Sequence, residues 1–313
     1  MYFPYLRGKQ YELIALKELL TGGLIGKKII PIIEPVKESN QFTKLIECFA
    51  SKNNMLGIIK NPEVGSYKKE KDNQRTLFPT KKTYMDAILM DNEIDNKMFD
   101  NIETKKFSSI FKRPDSIKLV DILNRLELQP KYTLIPDDSR IKRALNSHDK
   151  VILRDNFVKQ KRNADYLKVP KDNHGIPDEF FSDDHIYFRK EGYIGFSDYS
   201  IIGEDYLESG FAPVAVAIHI VYFDNLDILR IKHFVSDSNE DINDPAGKFG
   251  EALEKLVDWY EENKDNMHMT EGLSQLINHF HLGTYPGLGV VKKLSLMHHL
   301  ELVNWYLEGK PGL

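Results

Sequence analysis

The sequence predicts an α/β fold of the (βα)8 TIM-barrel type, extended by an inserted β-hairpin and additional C-terminal helices. Three observations lead there. Eight short apolar runs each end in polar or charged residues. Most of their starts lie about 20 to 30 residues apart, the length of one strand plus one crossover helix. Between them the apolar spacing changes to that of a helix with one greasy face. An open doubly wound sheet predicts the same local elements without closure.

The runs are YFPYLRGK from Tyr2, KIIPIIEP from Lys28, LGIIKNP from Leu56 and DAILMDN from Asp86. SSIFKRP from Ser108, YTLIPDD from Tyr132, KVILRDNF from Lys150 and YIGFSDYS from Tyr193 complete the set. QYELIALKELLTGG follows the first run with Leu13, Leu16, Leu19 and Leu20 on one face and Gly22-Gly23 as a stop. SIKLVDILNRLEL repeats the pattern, and DSRIKRALNS opens on an Asp or Ser cap. Alternation of strand and helix argues for parallel pairing with right-handed crossovers.

Two connections exceed a simple crossover and read as long loops, 62–84 and 158–192. The first carries Lys68, Lys69, Lys71, Arg75, Lys81 and Lys82 with Tyr67 and Phe78 among them. The second contains VKQKRNADYLKVPKDNHG, with Tyr166 among its cations. These are solvated loops or a basic rim for a polyanion. After residue 212 the pattern changes. PVAVAIHIVYF and ILRIKHFVSD, separated by DNLD, read as an antiparallel hairpin. An acidic stretch, 237–265, and a long amphipathic helix, GLGVVKKLSLMHHLELVNWYLEG, follow. The expected organisation is a barrel core over 1–212, with 213–313 packed on it as part of the same domain.

The 313 residues are 41% hydrophobic and 29% charged, with a net charge of -4. That balance suits a globular core and excludes a global basic field that would draw the chain to nucleic acid. The N-terminus lacks a signal-peptide pattern and no run is long enough to span a membrane, so a cytoplasmic location is expected. The lone cysteine, Cys48, sits among Phe42, Leu45, Ile46 and Phe49 and reads as a buried structural thiol.

In a closed barrel all strand ends meet on one face, where active sites form. Glu34, Asp155 and Asp198 are the candidates there for acid/base work or for holding a divalent cation such as Mg²⁺. Arg7, Lys9, Lys60, Arg113, Arg154 and Asn156 are the ligand-binding candidates, since cations neutralise phosphate or carboxylate. Asp91 and Asp137 add further acid to the face. A structural ring of ion pairs is the competing reading. Lys60, Glu34 and Asp198 in particular are expected around one mouth. No phosphate loop, dinucleotide fingerprint, HExxH zinc helix or GxSxG turn occurs. His279, His281, His298 and His299 read as packing or capping residues. His219 and His233 lie in the two hairpin runs, placed to face one another across strands. With Asp237 they would bind metal or shuttle a proton, and satisfied core or surface histidines are the simpler reading.

Through MYFPYLRGKQYELIAL at the start, PIIEP at 31–35, the LRDNF cluster and GFSDYS at 195–200, the chain resembles the bacterial and phage family named beta-family proteins. The resemblance covers the whole chain. It implies a place in mobile or defence loci beside a nuclease-like partner, and it carries over no reaction and no catalytic residue. The expected function is thus an accessory or effector protein of antiviral (phage) defence that binds a phosphorylated ligand, nucleotide or nucleic acid at the barrel mouth, with phosphoester hydrolysis admitted. The alternative is a non-enzymatic scaffold that docks a partner such as a nuclease.

Overall fold

Eight parallel strands form one sheet, arranged side by side in chain order. They are β1 (Tyr5–Leu6), β2 (Ile32–Ile33), β3 (Gly57–Ile59), β4 (Met85–Leu89), β5 (Phe107–Ile110), β6 (Tyr132–Ile135), β7 (Lys150–Arg154) and, after one strand that pairs elsewhere (β8, Asp178–Ser182), β9 (Gly195–Asp198). Each coincides with one of the eight apolar runs. The computed structural model describes residues 1–66, 84–91, 94, 96–100, 102–208 and 213–310. The basic segment from Tyr67 to Lys82 lies outside them.

The sheet curls until its edges meet. Tyr2 bridges Phe196 in parallel, Phe3 N donates to Phe196 O at 2.8 Å, and Phe196 N donates to Met1 O at 3.1 Å. The result is a nearly closed barrel. Closure leaves no long unpaired edge, which open sheets must protect by other means.

Register fixes which side chains fill the barrel. Tyr5, Ile32, Gly57 and Met85 lie abreast, as do Ile110, Leu134, Val151 and Gly195 on adjoining strands with their own neighbours. Phe3, Tyr5, Ile32, Ile59, Ala87, Leu89, Tyr132, Leu134, Leu153 and Tyr199 belong to one buried cluster that draws on the whole ring of strands. The rings of Phe3 and Tyr132 meet at 4.9 Å within it. Alternate residues face the opposite way: Leu6, Ile33, Ile58, Asp86 and Phe107 form one row, and Arg154 pairs with Asp198 in another. A period of two makes this assignment rigid.

The connecting helices are α1 (Gln10–Thr21), α2 (Asn40–Ser51), α3 (Val120–Arg125), α4 (Ser139–Ala144) and α5 (Asp184–Tyr187). Ser39 caps α2 by accepting from Phe42 N at 3.2 Å, and Asp138 caps α4 through Arg140 N and Ile141 N. Helix α2 buries Phe42, Leu45, Ile46 and Phe49. Cys48, one position off that stripe, is half-buried, so the expectation of full burial is corrected.

The chain divides into two compact units. The first comprises Met1–Leu13, Gly26–Asp155 and Asp184–Tyr199 and holds the barrel. The second comprises Ile14–Ile25, Asn156–Asp183 and Ser200–Leu313. Its sheet runs β10 (Ala217–Phe223), β11 (Leu229–Val235), β8, all antiparallel. β10 and β11 are the hairpin read from the sequence. β8 was not: it lies inside the connection 158–192, which reads as one long loop. Its sequence DEFFS starts with two acids, and these find partners across the sheet. Asp178 accepts from Tyr222 Oη at 2.5 Å, Arg230 Nε at 2.6 Å and Lys232 Nζ at 2.7 Å.

Three helices complete this unit: α6 (Pro245–Asn263), α7 (Glu271–Leu282) and α8 (Leu288–Leu307). Thr270 caps α7 at its start, and Gly283 ends it in the left-handed region at φ 60°. From Val291 to Val303, α8 is buried on nearly every side, rather than on the single face that its reading as amphipathic implied. Several of its polar residues are partnered. Lys293 Nζ donates to Glu18 at 2.6 Å and Asn304 Nδ2 to Leu24 O at 3.1 Å, both on the α1 side of the unit. His298 donates from Nε2 to Val221 O at 2.6 Å, while its Nδ1 lies 2.7 Å from Thr270 Oγ1. Burial pushes His298 down to about 4. His299 lies 2.7 Å from Ser200 Oγ. Both are packing residues.

Candidate functional site

The C-terminal ends of the barrel strands hold a buried network of opposite charges. Arg7 follows β1 and Glu34 follows β2, with exposures of 3% and 0%. Arg7 Nη1 donates to Glu34 Oε2. Tyr5 Oη donates to the same oxygen at 2.7 Å, and Glu63 N donates to Glu34 Oε1 at 2.7 Å. Both oxygens of Glu34 are therefore engaged. The Arg7 guanidinium lies over two aromatic faces, 5.2 Å from the centre of Tyr5 and 5.4 Å from that of Tyr199. Its backbone N–H donates to Glu12 at 2.8 Å.

A second ion pair adjoins the first. Lys112 Nζ, just past β5, donates to Glu63 Oε2 at 3.0 Å and lies 6.0 Å from the Tyr5 ring centre. The pKa directions fit the arrangement. Burial, then the neighbouring Glu34 carboxylate, raises Tyr5 well above 10.0. Burial opposes the charge on Arg7, but Tyr5, Glu34 and Tyr199 outweigh it and raise its pKa. Burial likewise opposes ionisation of Glu63, yet Lys112, Asp91 and Arg113 together bring it below 4.5. Arg7 and Glu63 are thus held toward their charged forms. Removing such charges from water costs several kcal/mol per ion unless each is paired.

The structure sorts the expected site residues by strand parity. Arg7 and Glu34 face the mouth together. Lys60 and Asp198 occupy the alternate positions, in the outward-facing rows. Lys60 Nζ lies 3.4 Å from Tyr84 Oη, and Asp198 accepts from Tyr2 Oη at 2.6 Å. The expectation that Lys60, Glu34 and Asp198 surround one opening is corrected, because a one-residue offset in a strand reverses the face. Arg154 shares the outward row with Asp198 and is held by Asp184 and by Asp137 at 2.8 Å. Asp155 is exposed beyond β7, Arg113 is exposed ahead of Pro114, and Lys9 is half-buried. Asn156 belongs to the second unit, half-buried, and its Nδ2 has no hydrogen-bond partner among the described residues. Among the described residues no group of three or more His, Cys, Asp or Glu side chains converges as a metal site. Glu34, Asp155 and Asp198 in particular do not form one.

Four residues at the mouth were not among those expected: Tyr5, Tyr199, Glu63 and Lys112. Two are tyrosines inside the first and last apolar runs. Lys112 is the neighbour of the expected Arg113, on the correct parity. At the opposite end of the strands lies a cleft of about 530 Å³, edged by Lys27, Lys105, Lys106 and Lys131 with Tyr84 and Tyr132. Among the described residues no helix is long and apolar enough to cross a membrane. Comparison with family models, with curated proteins and with solved structures yields no match to this chain.

Proposed function

We propose that the barrel mouth binds a phosphorylated ligand, a nucleotide or the backbone of a nucleic acid, in the service of bacterial defence against phage or mobile DNA. The observation that carries this reading is Arg7, clamped by Glu34 and two tyrosine faces at the strand ends where barrel enzymes place their sites. A guanidinium fixed in this way loses little freedom on meeting a phosphate. Lys112 pairs with Glu63 against the Tyr5 ring, Arg113 acts on the same Glu63 from an exposed position at the rim, and the sequence that follows Ser66 is rich in lysine. Glu34, with both oxygens engaged, acts here as a positioning residue rather than a base. The defence setting rests on the resemblance to beta-family proteins, whose motifs in this chain supply Arg7, Glu34 and Tyr199 to the mouth. Membership of that family is part of the proposal.

The test is binding of a fluorescent oligonucleotide and of a nucleoside triphosphate over a salt series with Mg²⁺ present. Each phosphate contact contributes about 0.7 to 0.9 to the slope of log affinity against log salt. Arg113→Ala, at an exposed position, is expected to lower the oligonucleotide slope by about that amount. Absence of binding at low salt defeats the proposal. So does a slope unaffected by Arg113→Ala and Lys112→Ala but lowered by Lys105→Ala and Lys131→Ala, which would move the ligand to the other end of the barrel.

A further inference from the structure

In the second unit, strand register sets His219 on β10 opposite His233 on β11. Their Nδ1 atoms are 2.8 Å apart. His233 is fully buried, and its Nε2 lies 3.0 Å from Glu179 Oε1 on β8. The proton positions follow from donor rules. An ionised carboxylate only accepts, so His233 carries its hydrogen on Nε2. In the tautomer we assign, His233 accepts at Nδ1, so the hydrogen between the rings belongs to His219 Nδ1. The remaining lone pair of His219 sits on Nε2, which makes no hydrogen bond among the described residues.

The rings are held firmly. Tyr166 stacks on His233 with centres 4.4 Å apart and planes at 27°, and lies 4.7 Å from His219. Phe157 meets His219 edge-on at 5.2 Å. His219 lines a cleft of about 280 Å³ together with Asn163, Lys292 and Ser295. Burial, then His233 and Lys292, pushes the His219 pKa well below 6.5, so the ring is neutral at physiological pH. Asp237, the expected third member of this group, pairs instead with Lys255 at 2.7 Å.

A neutral imidazole nitrogen with nothing to accept, beside a lysine, calls for a ligand with two features: a proton to donate and a negative charge. We propose that this cleft is a second binding site, for a small oxyanion that keeps a proton at neutral pH, such as hydrogen phosphate. Its hydroxyl donates to His219 Nε2 and its charge faces Lys292. Glu179 and His233 are positioning residues that fix the tautomer. Sulfate has the same shape and charge but no proton to give, so the site discriminates against it. This inference does not rest on the barrel mouth, and Arg113→Ala leaves it unchanged, so the two readings fail separately.

The test is carbethoxylation of the full chain by diethyl pyrocarbonate, with each histidine followed by peptide mass spectrometry. His219 is expected to react, and saturating inorganic phosphate to slow that reaction about tenfold. Sulfate at the same concentration is expected to slow it less than about twofold. Lys292→Ala, at an exposed position, is expected to weaken protection by phosphate about tenfold. If His219 stays unmodified while the exposed His174 and His281 react, the nitrogen is not open and the proposal fails. Equal protection by sulfate means an adventitious ion only. Nitrogen NMR of the ring provides a check that needs no ligand: His219 must show the Nδ1–H tautomer, and an Nε2–H signal overturns the donor chain.

Discussion

Two buried polar networks, one in each unit, differ in how they end. At the barrel mouth three donors converge on Glu34 and occupy both of its oxygens. In the second unit a line of donors runs from His219 through His233 to Glu179 and leaves one acceptor at its head. The first network closes on itself, and what it offers a ligand is a rigid cation. The second offers a specific atom with a specific need. A closed network reveals its worth chiefly in stability, an open one in recognition, and the two respond differently to the loss of a member.

The sharpest way to break this contrast is Glu34→Ala. It strands the Arg7 guanidinium, the Tyr5 hydroxyl and the Glu63 N–H in a buried site. The expected loss is about 3–5 kcal/mol in urea unfolding. A loss below about 1 kcal/mol would show that water reaches the mouth and that the network is not closed. Glu179→Gln probes the other end. Its amide can donate to His233 Nε2 and reverse the ring tautomers, at an expected cost of about 1 kcal/mol. The NMR signature of His219 should change far more than the melting temperature does.

A third test concerns a carboxyl outside both networks. Burial raises Glu301 on α8 to about 7, although Glu271 N donates to it at 2.8 Å. Its folded pKa lies above its unfolded value of 4.5. Stability from this group is therefore intact below about pH 4.5, declines as pH rises and is fully lost above about 7. Glu301→Gln keeps an acceptor for Glu271 N and is expected to gain about 1–2 kcal/mol at pH 8 and nothing at pH 4. A gain independent of pH would assign the effect to packing. The smallest expected effect belongs to Lys60→Ala. On the outward row beside Tyr84, Lys60 should contribute nothing to oligonucleotide binding. A clear loss of binding with unchanged melting would return Lys60 to the site.

The legibility of the sequence divides along the same physical line. All eight barrel strands could be found, because short apolar runs with polar ends recur at crossover spacing. The hairpin was legible from its turn, and with it the pairing of His219 and His233. Parity was not legible. Ile58 and Ile59 are both buried, on opposite faces of one strand, so nothing in LGIIKNP says which way Lys60 points. The same ambiguity selected Arg113 over Lys112 and Asp198 over Tyr199. β8 escaped notice because its opening acids are compensated by Arg230, Lys232 and His233, residues some 50 positions later in the chain.

The membership of α1 in two units has a consequence for biosynthesis. The last barrel strand ends at Asp198, yet the partners of Glu18 and Leu24 are Lys293 and Asn304. At ribosomal rates of about 5–20 residues per second, the chain from Asp198 to Asn304 takes roughly 5 to 20 seconds to emerge. Through that interval every residue of the barrel strands has been made while Glu18 on α1 and Leu24 just beyond it still lack those contacts. The pairing of Glu18 with Lys293 is therefore open to the chain only after its last helix has been made.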